Sequence, residues 1–199
     1  ISNYSTGKMG FALAEAARKR GAEVILITGP TFLTDIVGVT TIRVNSAAEM
    51  REQVVSHFEK SDVFISAAAV ADFRPVRQFA GKIKKEENDT IMLLELEKNV
   101  DILKEAGEKK ERQLLIGFAA EAEKLNENAL SKLKSKNLDY MVVNDITRED
   151  SGFGTDTNKV SIINRKEEVT DLPLMSKNEL AEYIFDLITS HFEQHNKGI

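Results

Sequence analysis

Short apolar runs alternate with amphipathic helical patterns along most of this chain, and that alternation limits the folds open to it. The runs, each of a length typical of a buried strand, lie at residues 24–27, 63–67, 114–118 and 140–143. Between them, apolar residues recur at helical spacing, as in the segment after Gly10. Strands that alternate with helices predict an α/β fold with a doubly wound, mainly parallel sheet and helices on both faces.

Capping residues indicate where several helices begin. Ser46 with Glu49 three residues later forms a capping box, and Ser176 with Glu179 forms another before the last helix. Asp101 is predicted to open a shorter helix that ends near residue 107. A further helix is expected to follow the 114–118 strand and to end near residue 136.

More strands are expected outside the four apolar runs. They are predicted at residues 41–44, at residues 90–96, and in a hairpin after residue 160 that turns near residues 164–166. The preceding polar segment is predicted to be a loop. The hairpin carries alternating apolar residues that a lone edge would expose, so dimer contacts are expected after Val160.

The composition describes one ordinary globular domain. The chain has 199 residues, 42% of them hydrophobic and 30% charged. A net charge of −5 argues against nucleic-acid binding, and no apolar run reaches the ~20 residues that span a bilayer. The absence of cysteine excludes a disulfide framework and a thiolate nucleophile. A cytoplasmic location is expected, and a start without methionine suggests a fragment.

Residues 66–85 carry the clearest indication of a ligand site. The strand that ends here runs into small residues, Ala67 and Ala68, which leave backbone open to a ligand, and Asp72 follows. In parallel sheets, ligands bind in the crevice beyond the carboxyl ends of the strands. A basic loop that begins with Lys82 would suit a polyphosphate. The alternative is a solvated basic loop.

One motif suggests a different enzyme class. Tyr4 and Lys8 have the Tyr-x-x-x-Lys spacing of short-chain dehydrogenases, which would make the chain an NAD(P)-dependent oxidoreductase. In that class a glycine-rich turn comes first and the pair lies far downstream, whereas here the pair opens the chain. No G-x-G-x-x-G follows any predicted strand. The sequence therefore disfavours this alternative.

Other polar residues are ambiguous when taken by residue type alone. Lys132 and Lys136 lie four apart on a predicted helix, the pattern of a solvated stripe as well as of an anion site. Asn3 in a polar turn is by default a capping residue. The three histidines are too scattered to indicate a metal site.

Seven segments in this order resemble one family. They are ISNYSTGKMGFALAEAA, SAAAVADFRP, KIKK, KNVDIL, GFAAE, KNLDYMVVND and GFGTDTNKV. Together they are similar to bacterial phosphopantothenoylcysteine synthetase, the synthetase half of the coenzyme A decarboxylase/synthetase proteins. The resemblance implies a Rossmann-like fold with a projecting β-hairpin, a homodimer, and use of CTP with Mg²⁺.

The resemblance also implies a reaction. The carboxylate of 4′-phosphopantothenate would be activated as an acyl-cytidylate with release of pyrophosphate, and L-cysteine would then displace CMP to form the amide. Asn3 matches an asparagine that contacts the acyl-cytidylate. Lys82 matches a lysine on a mobile flap, at about residues 74–88, that acts on the intermediate.

The resemblance assigns nucleotide contacts as well, and it leaves the metal ligands open. Asp72 is expected at the sugar, residues 100–103 and Phe118 around the base, and Lys132 with Lys136 at the triphosphate. The full set of expected nucleotide-binding residues is Ala67, Ala68, Asp72, Lys82, Val100, Asp101, Ile102, Leu103, Phe118, Lys132 and Lys136.

The sequence departs from the family at two points. Val100 replaces a proline, which restores a backbone N–H and frees φ. A strand and glycine-rich turn that precede the ISN motif in the family are not in this sequence, so the single domain over residues 1–199 is expected to lack a central strand. A flavin-dependent decarboxylase domain is expected upstream in the parent protein. A non-catalytic nucleotide-binding module is the other alternative.

Overall fold

The structure is a computed structural model that describes residues 3, 5–77, 81, 92–121, 125–145 and 155–196. The helices are α1 Lys8–Lys19, α2 Ala47–Phe58, α3 Ile102–Glu108, α4 Leu125–Ser135 and α5 Lys177–Asn196. The strands are β1 Ile25–Thr28, β2 Thr40–Arg43, β3 Val63–Ser66, β4 Phe73–Pro75, β5 Leu96–Lys98, β6 Leu114–Glu121, β7 Tyr140–Asp145, β8 Thr157–Asn158, β9 Val160–Asn164, β10 Val169–Asp171 and β11 Met175–Ser176. Among these helices, none is long and apolar enough to cross a membrane.

The central sheet has the strand order β10-β9-β7-β6-β3. Strands β3, β6 and β7 run parallel, and β9 joins β7 in the antiparallel sense. Helices cover both faces, with α1 and α5 on one face and α2, α3 and α4 on the other. The predicted doubly wound α/β class is confirmed.

Side chains of the central strands alternate between two apolar clusters. In β6, Leu114 and Ile116 pack with α1 and α5, whereas Leu115 packs with α2, α3 and α4. These three residues are at most 2% exposed. The period of two in a strand thus fixes which helix layer each residue meets.

The predicted capping boxes form. The hydroxyl of Ser46 accepts the N–H of Glu49 at 3.2 Å, and Asp101 is the N-cap of α3. At α5, Ser176 accepts the N–H of Glu179 at 3.2 Å, and the Glu179 carboxylate accepts the N–H of Ser176 at 2.8 Å. Donors that an isolated helix end would leave unpaired are thereby satisfied.

The hairpin of β9 and β10 is confirmed, but the reason given for a dimer there is wrong. Val160, Ile162 and Ile163 are buried in the chain's own core. Strand β9 is an interior strand because it pairs with β7 on one side and β10 on the other. These residues therefore need no second copy to cover them.

Strands β4 and β5 form another antiparallel pair, which differs from the predicted strand at residues 90–96 and from the predicted flap at about residues 74–88. Of the strand predicted at residues 90–96, residues 92–95 form no strand. The ladder begins at Leu96, opposite Pro75, and the carbonyl of Glu95 accepts one further backbone hydrogen bond from Val76 at 3.0 Å. Pro75, which falls in the flap predicted at about residues 74–88, occupies the last position of β4 instead. A proline is tolerated at such a strand end because its missing N–H removes no interior ladder bond.

The segment predicted as a polar loop before the hairpin also contains regular structure. Strand β8 pairs in the antiparallel sense with β11, just before α5. Strands β1 and β2 form a separate parallel pair. Within the described part of the chain, neither β1 nor β3 has a strand on its second edge.

Candidate functional site

The loop that follows β3 lies at the carboxyl end of the parallel strands of the central sheet. Ala67 is half-buried, while Ala68 and Asp72 are exposed. The loop has no regular structure between β3 and β4. Backbone with such small side chains would allow a ligand to approach closely, so the predicted contact of this loop with a nucleotide stays a prediction.

Two asparagines from distant parts of the chain hold this loop. The side-chain amide of Asn3 donates to the carbonyl of Val70 at 3.0 Å. The side-chain amide of Asn99 donates to the carbonyl of Ala71 at 2.8 Å, and its backbone N–H donates to the carbonyl of Asp72 at 2.8 Å. We call residues 67–72, together with Asn3 and Asn99, the cradle.

The cradle brings together residues that the sequence analysis assigned to different roles. Asn3, the predicted catalytic amide, contacts the loop of Ala67, Ala68 and Asp72. Asn99, which the sequence analysis did not single out, joins the same loop to the segment that begins at Val100. Asn99 lies within KNVDIL, two residues before the predicted helix start at Asp101, where an asparagine is typical of a turn. Its role in holding the loop becomes visible only from its hydrogen-bond partners.

Asp101 links the segment after Asn99 to the end of α4. Its carboxylate accepts the N–H of Lys104 at 3.0 Å and lies 2.8 Å from the ammonium of Lys136. Burial by itself raises the pKa of Asp101, but the hydrogen bonds from Lys136 and from the Lys104 N–H prevail and hold the pKa below its ordinary value. The carboxylate is therefore charged at neutral pH.

The predicted base-contacting residues divide into two kinds. Val100 is exposed, whereas the side chains of Ile102 and Leu103 are buried in the protein. The side chains of Ile102 and Leu103 therefore contribute to the core rather than to a ligand surface. Readout of a base by this segment stays a prediction.

Gly117 allows α3 to lie close to β6. A Cβ at this position would meet Leu103 Cδ2 at 2.9 Å and Leu138 Cδ1 at 2.8 Å. Any larger residue would have to displace the ends of these two leucine side chains from their packed positions. Nothing in the local sequence pattern identifies this requirement.

Phe118 lies on the other face of the sheet. It packs against the cluster of α1 and α5, while Leu103 belongs to the cluster of α2, α3 and α4. The structure therefore does not bring the side chains of Phe118 and Leu103 to one face.

Lys132 and Lys136 lie at the carboxyl end of α4. The N–H of Lys136 donates to the carbonyl of Lys132 at 3.0 Å, so the two residues share a helix face, as predicted. Lys132 is exposed, and the charge of Lys136 is directed to Asp101. A triphosphate bound here would therefore compete with the Asp101 carboxylate for the ammonium of Lys136.

Some predicted residues lie outside the described part of the chain. These are Lys82, most of the predicted flap, and Tyr4 of the dehydrogenase-like motif. Of the flap, Arg74 and Pro75 belong to β4 rather than to a loop. Among the described residues, no group of three or more His, Asp or Glu side chains is placed to hold a metal ion.

These features define a doubly wound α/β protein whose candidate ligand site lies at the carboxyl ends of its parallel strands. The chain belongs to the DNA/pantothenate metabolism flavoprotein C-terminal domain family, which it matches over residues 1–192. It is 48% identical over 195 residues to the coenzyme A biosynthesis bifunctional protein CoaBC of Bacillus subtilis, covering 98% of this chain and 48% of that protein. The chain thus spans about half the length of the curated relatives it matches.

Solved structures agree with this assignment. The C-terminal domain of a CoaBC protein superposes with a TM-score of 0.82 at 44% identity, covering 98% of this chain and 88% of that one. A Cab2 mutant in complex with phosphopantothenate-cysteine gives a TM-score of 0.71 at 17% identity, covering 99% of this chain and 82% of that one. At 17% identity, the likeness to Cab2 concerns the fold alone.

Proposed function

We propose that this chain is a phosphopantothenate–cysteine ligase of coenzyme A biosynthesis. It would use CTP to join 4′-phosphopantothenate to L-cysteine and would release CMP and pyrophosphate. The observation that carries the proposal is the cradle, because one loop holds the predicted catalytic amide of Asn3 beside the predicted nucleotide segment. Family membership and the names of the CoaBC relatives support the same activity.

The proposed reaction has two steps. The pantothenate carboxylate attacks the α-phosphate of CTP and pyrophosphate leaves, which gives an acyl-cytidylate. The cysteine amine then attacks the acyl carbon, loses a proton and expels CMP as the amide forms. No protein nucleophile is needed, so the protein acts by positioning and by stabilising developing charge.

Asn3 and Lys82 would have separate roles in these steps. The neutral amide of Asn3 can donate to an acyl-phosphate oxygen and orient it without trapping it. Lys82, on the resemblance, would close over the mixed anhydride and exclude water. In the structure, Asn3 donates to the Val70 carbonyl, a bond that a bound acyl-phosphate would have to share or replace.

The nucleotide would lie along the cradle. Asp72 would hold the sugar, and main-chain groups of residues 100–102 would read the cytosine edge, since the side chain of Ile102 is buried. A site built to hydrogen-bond one base edge leaves buried groups unpaired with another base. We therefore expect CTP to be strongly preferred over UTP.

Mg²⁺ would arrive with the nucleotide. This ion keeps several waters and is usually bound by substrate phosphates with one or two carboxylates. Of the two carboxylates described at the site, Asp101 is paired with Lys136 and Asp72 is assigned to the sugar. The residues fit a metal held mainly by phosphate oxygens, where it would neutralise part of the triphosphate charge.

We also propose a homodimer, but at a different surface from the one the sequence suggested. The β4–β5 hairpin and the residues beside it expose a group of large apolar side chains, namely Phe73, Val76, Met92, Leu93, Leu94 and Leu96. Such a patch on a two-stranded hairpin favours a second copy as its cover. Light scattering of the chain and of a Leu93→Glu variant at micromolar concentration tests this, with a dimer expected only for the former.

Two further proposals concern the parent protein, one from the open edges of β1 and β3 and one from the relatives. A strand that precedes Asn3 would pair with these edges, which have no second strand partner in the described residues. A decarboxylase domain would lie further upstream, since the relatives are bifunctional and about twice as long.

Pyrophosphate release tests the proposed function. The chain is incubated with 4′-phosphopantothenate and each nucleoside triphosphate, with and without L-cysteine. We expect release with CTP, and amide product only when cysteine is present. Equal turnover of CTP and UTP would contradict the base assignment, and no release with any nucleotide would contradict the ligase itself.

A further inference from the structure

Lys177 is placed where a lysine is unfavourable. It is the first residue of α5, at the positive end of the helix dipole, and is only 8% exposed. Burial lowers its pKa, against the opposing attraction of Asp156. Helix stability therefore does not account for a lysine at this position.

The ammonium of Lys177 holds the segment before the β9 strand. It donates to the carbonyl of Thr155 at 2.5 Å and to the side-chain oxygen of Asn158 at 3.0 Å. The backbone N–H of Lys177 also donates to the carbonyl of Asp156 at 3.0 Å. One buried lysine thus fixes residues 155–158 through several acceptors.

This segment in turn contacts the start of α1. The carboxylate of Asp156 lies 2.6 Å from the ammonium of Lys8, and the amide of Asn158 lies 3.7 Å from the sulfur of Met9. Lys8, Asp156 and Lys177 line one cavity of about 400 Å³. Lys8 is the first residue of α1 and lies five positions after Asn3 in the sequence.

We infer that Lys177, acting through Asp156 and Lys8, is a positioning residue for Asn3. The inference rests on the proposed function for its kinetic consequence. The exposed Lys8–Asp156 pair adds little stability by itself, but it holds the first residue of α1, five positions after Asn3. Displacement of a catalytic group by about 1 Å can cost roughly 10²-fold in rate.

The test compares two buried lysines in the full chain. Lys177→Met should lower kcat for amide formation by about 10- to 100-fold, and it should cause no further loss in an Asn3→Ala background. Lys110→Met removes a lysine that pairs with Asp139, remote in sequence from the Asn3 turn, and serves as the matched control. Its kcat per folded molecule should stay near that of the wild type.

A second readout needs no activity. The side-chain amide resonance of Asn3 should shift in Lys177→Met and in the milder Asp156→Asn, which keeps the test available if the former does not fold. Equal behaviour of the Lys177 and Lys110 variants, or losses that multiply between Lys177→Met and Asn3→Ala, would overturn the inference. If the wild type has no ligase activity, the proposed function fails, and the Asn3 resonance alone decides the positioning role.

Discussion

A lysine–aspartate pair at the candidate site differs in solvent exposure from a second such pair in the scaffold of the fold. In the Lys136–Asp101 pair at the site, the side chains are 22% and 40% exposed. In the Lys110–Asp139 pair, near the start of β7, both are 9% exposed. The same two residue types are thus solvated in one region and enclosed in the other.

The two aspartates also differ in how many elements of the fold contact them. Asp139 accepts the N–H of Leu115 at 2.7 Å and lies 3.5 Å from Arg165, so several elements depend on its charge. Asp101 caps one short helix and contacts the side chain of Lys136, which directly follows α4. The comparison teaches that an enclosed pair belongs to the fold, whereas an exposed pair can exchange its partner for a ligand.

The largest effect on stability is expected at the enclosed pair. Asp139→Asn leaves Lys110 buried without its counter-charge, and removal of one partner of a buried pair costs about 3–5 kcal/mol. Urea denaturation should report this loss, with kcat per folded molecule unchanged. A loss as small as that of Asp101→Asn would break the distinction between the two pairs.

The largest effect on activity is expected at the cradle. Asn3→Asp places a carboxylate beside incoming anions, so acyl-cytidylate formation should fall by about 10²-fold, the scale for losing one positioned donor, while the urea midpoint stays near that of the wild type. Lys82→Gln should still form acyl-cytidylate but should slow amide formation. Products trapped with CTP and 4′-phosphopantothenate and weighed by mass spectrometry distinguish the two; the reverse pattern would exchange the roles.

A smaller effect is expected at the exposed pair. Asp101→Asn keeps the helix cap and removes the charge, so it should cost at most ~1 kcal/mol of unfolding free energy. It also releases Lys136, and the KM for CTP should fall a few-fold, whereas Lys136→Gln should raise it. An unchanged KM in both variants would assign Lys136 to structure alone. Asp101→Ala is the control, because it removes the cap as well and should cost about 1 kcal/mol more.

The smallest effect is a shift in one titration. The pKa of Asp101 in the folded state lies below its ordinary value of ~3.9. Its ionic contribution to stability is therefore present above about pH 4 and is lost as the pH falls through the lowered pKa. An NMR titration of the carboxyl carbon should show a midpoint that rises toward the ordinary value in Lys136→Gln. An unmoved midpoint would mean that Lys136 does not hold the charge.

The sequence by itself determined the local features of this protein. Ser46, Asp101 and Ser176 start helices as predicted, because a cap depends on groups within three residues of one another. The parallel core strands and the β9–β10 hairpin also follow from short-range apolar patterns. The ordered motifs then identified the family, which the comparison with known proteins confirmed.

The tertiary structure alone decided which distant residues meet. Asn3 reaches Val70 across 67 positions, and Asn99 reaches Ala71 across 28, contacts that depend on strand order rather than on any local pattern. The same reason explains the failure at residues 92–95, where an apolar run typical of a strand forms none. A strand requires hydrogen bonds from a neighbouring backbone as well as an apolar run, and for β5 that partner is the three-residue strand β4.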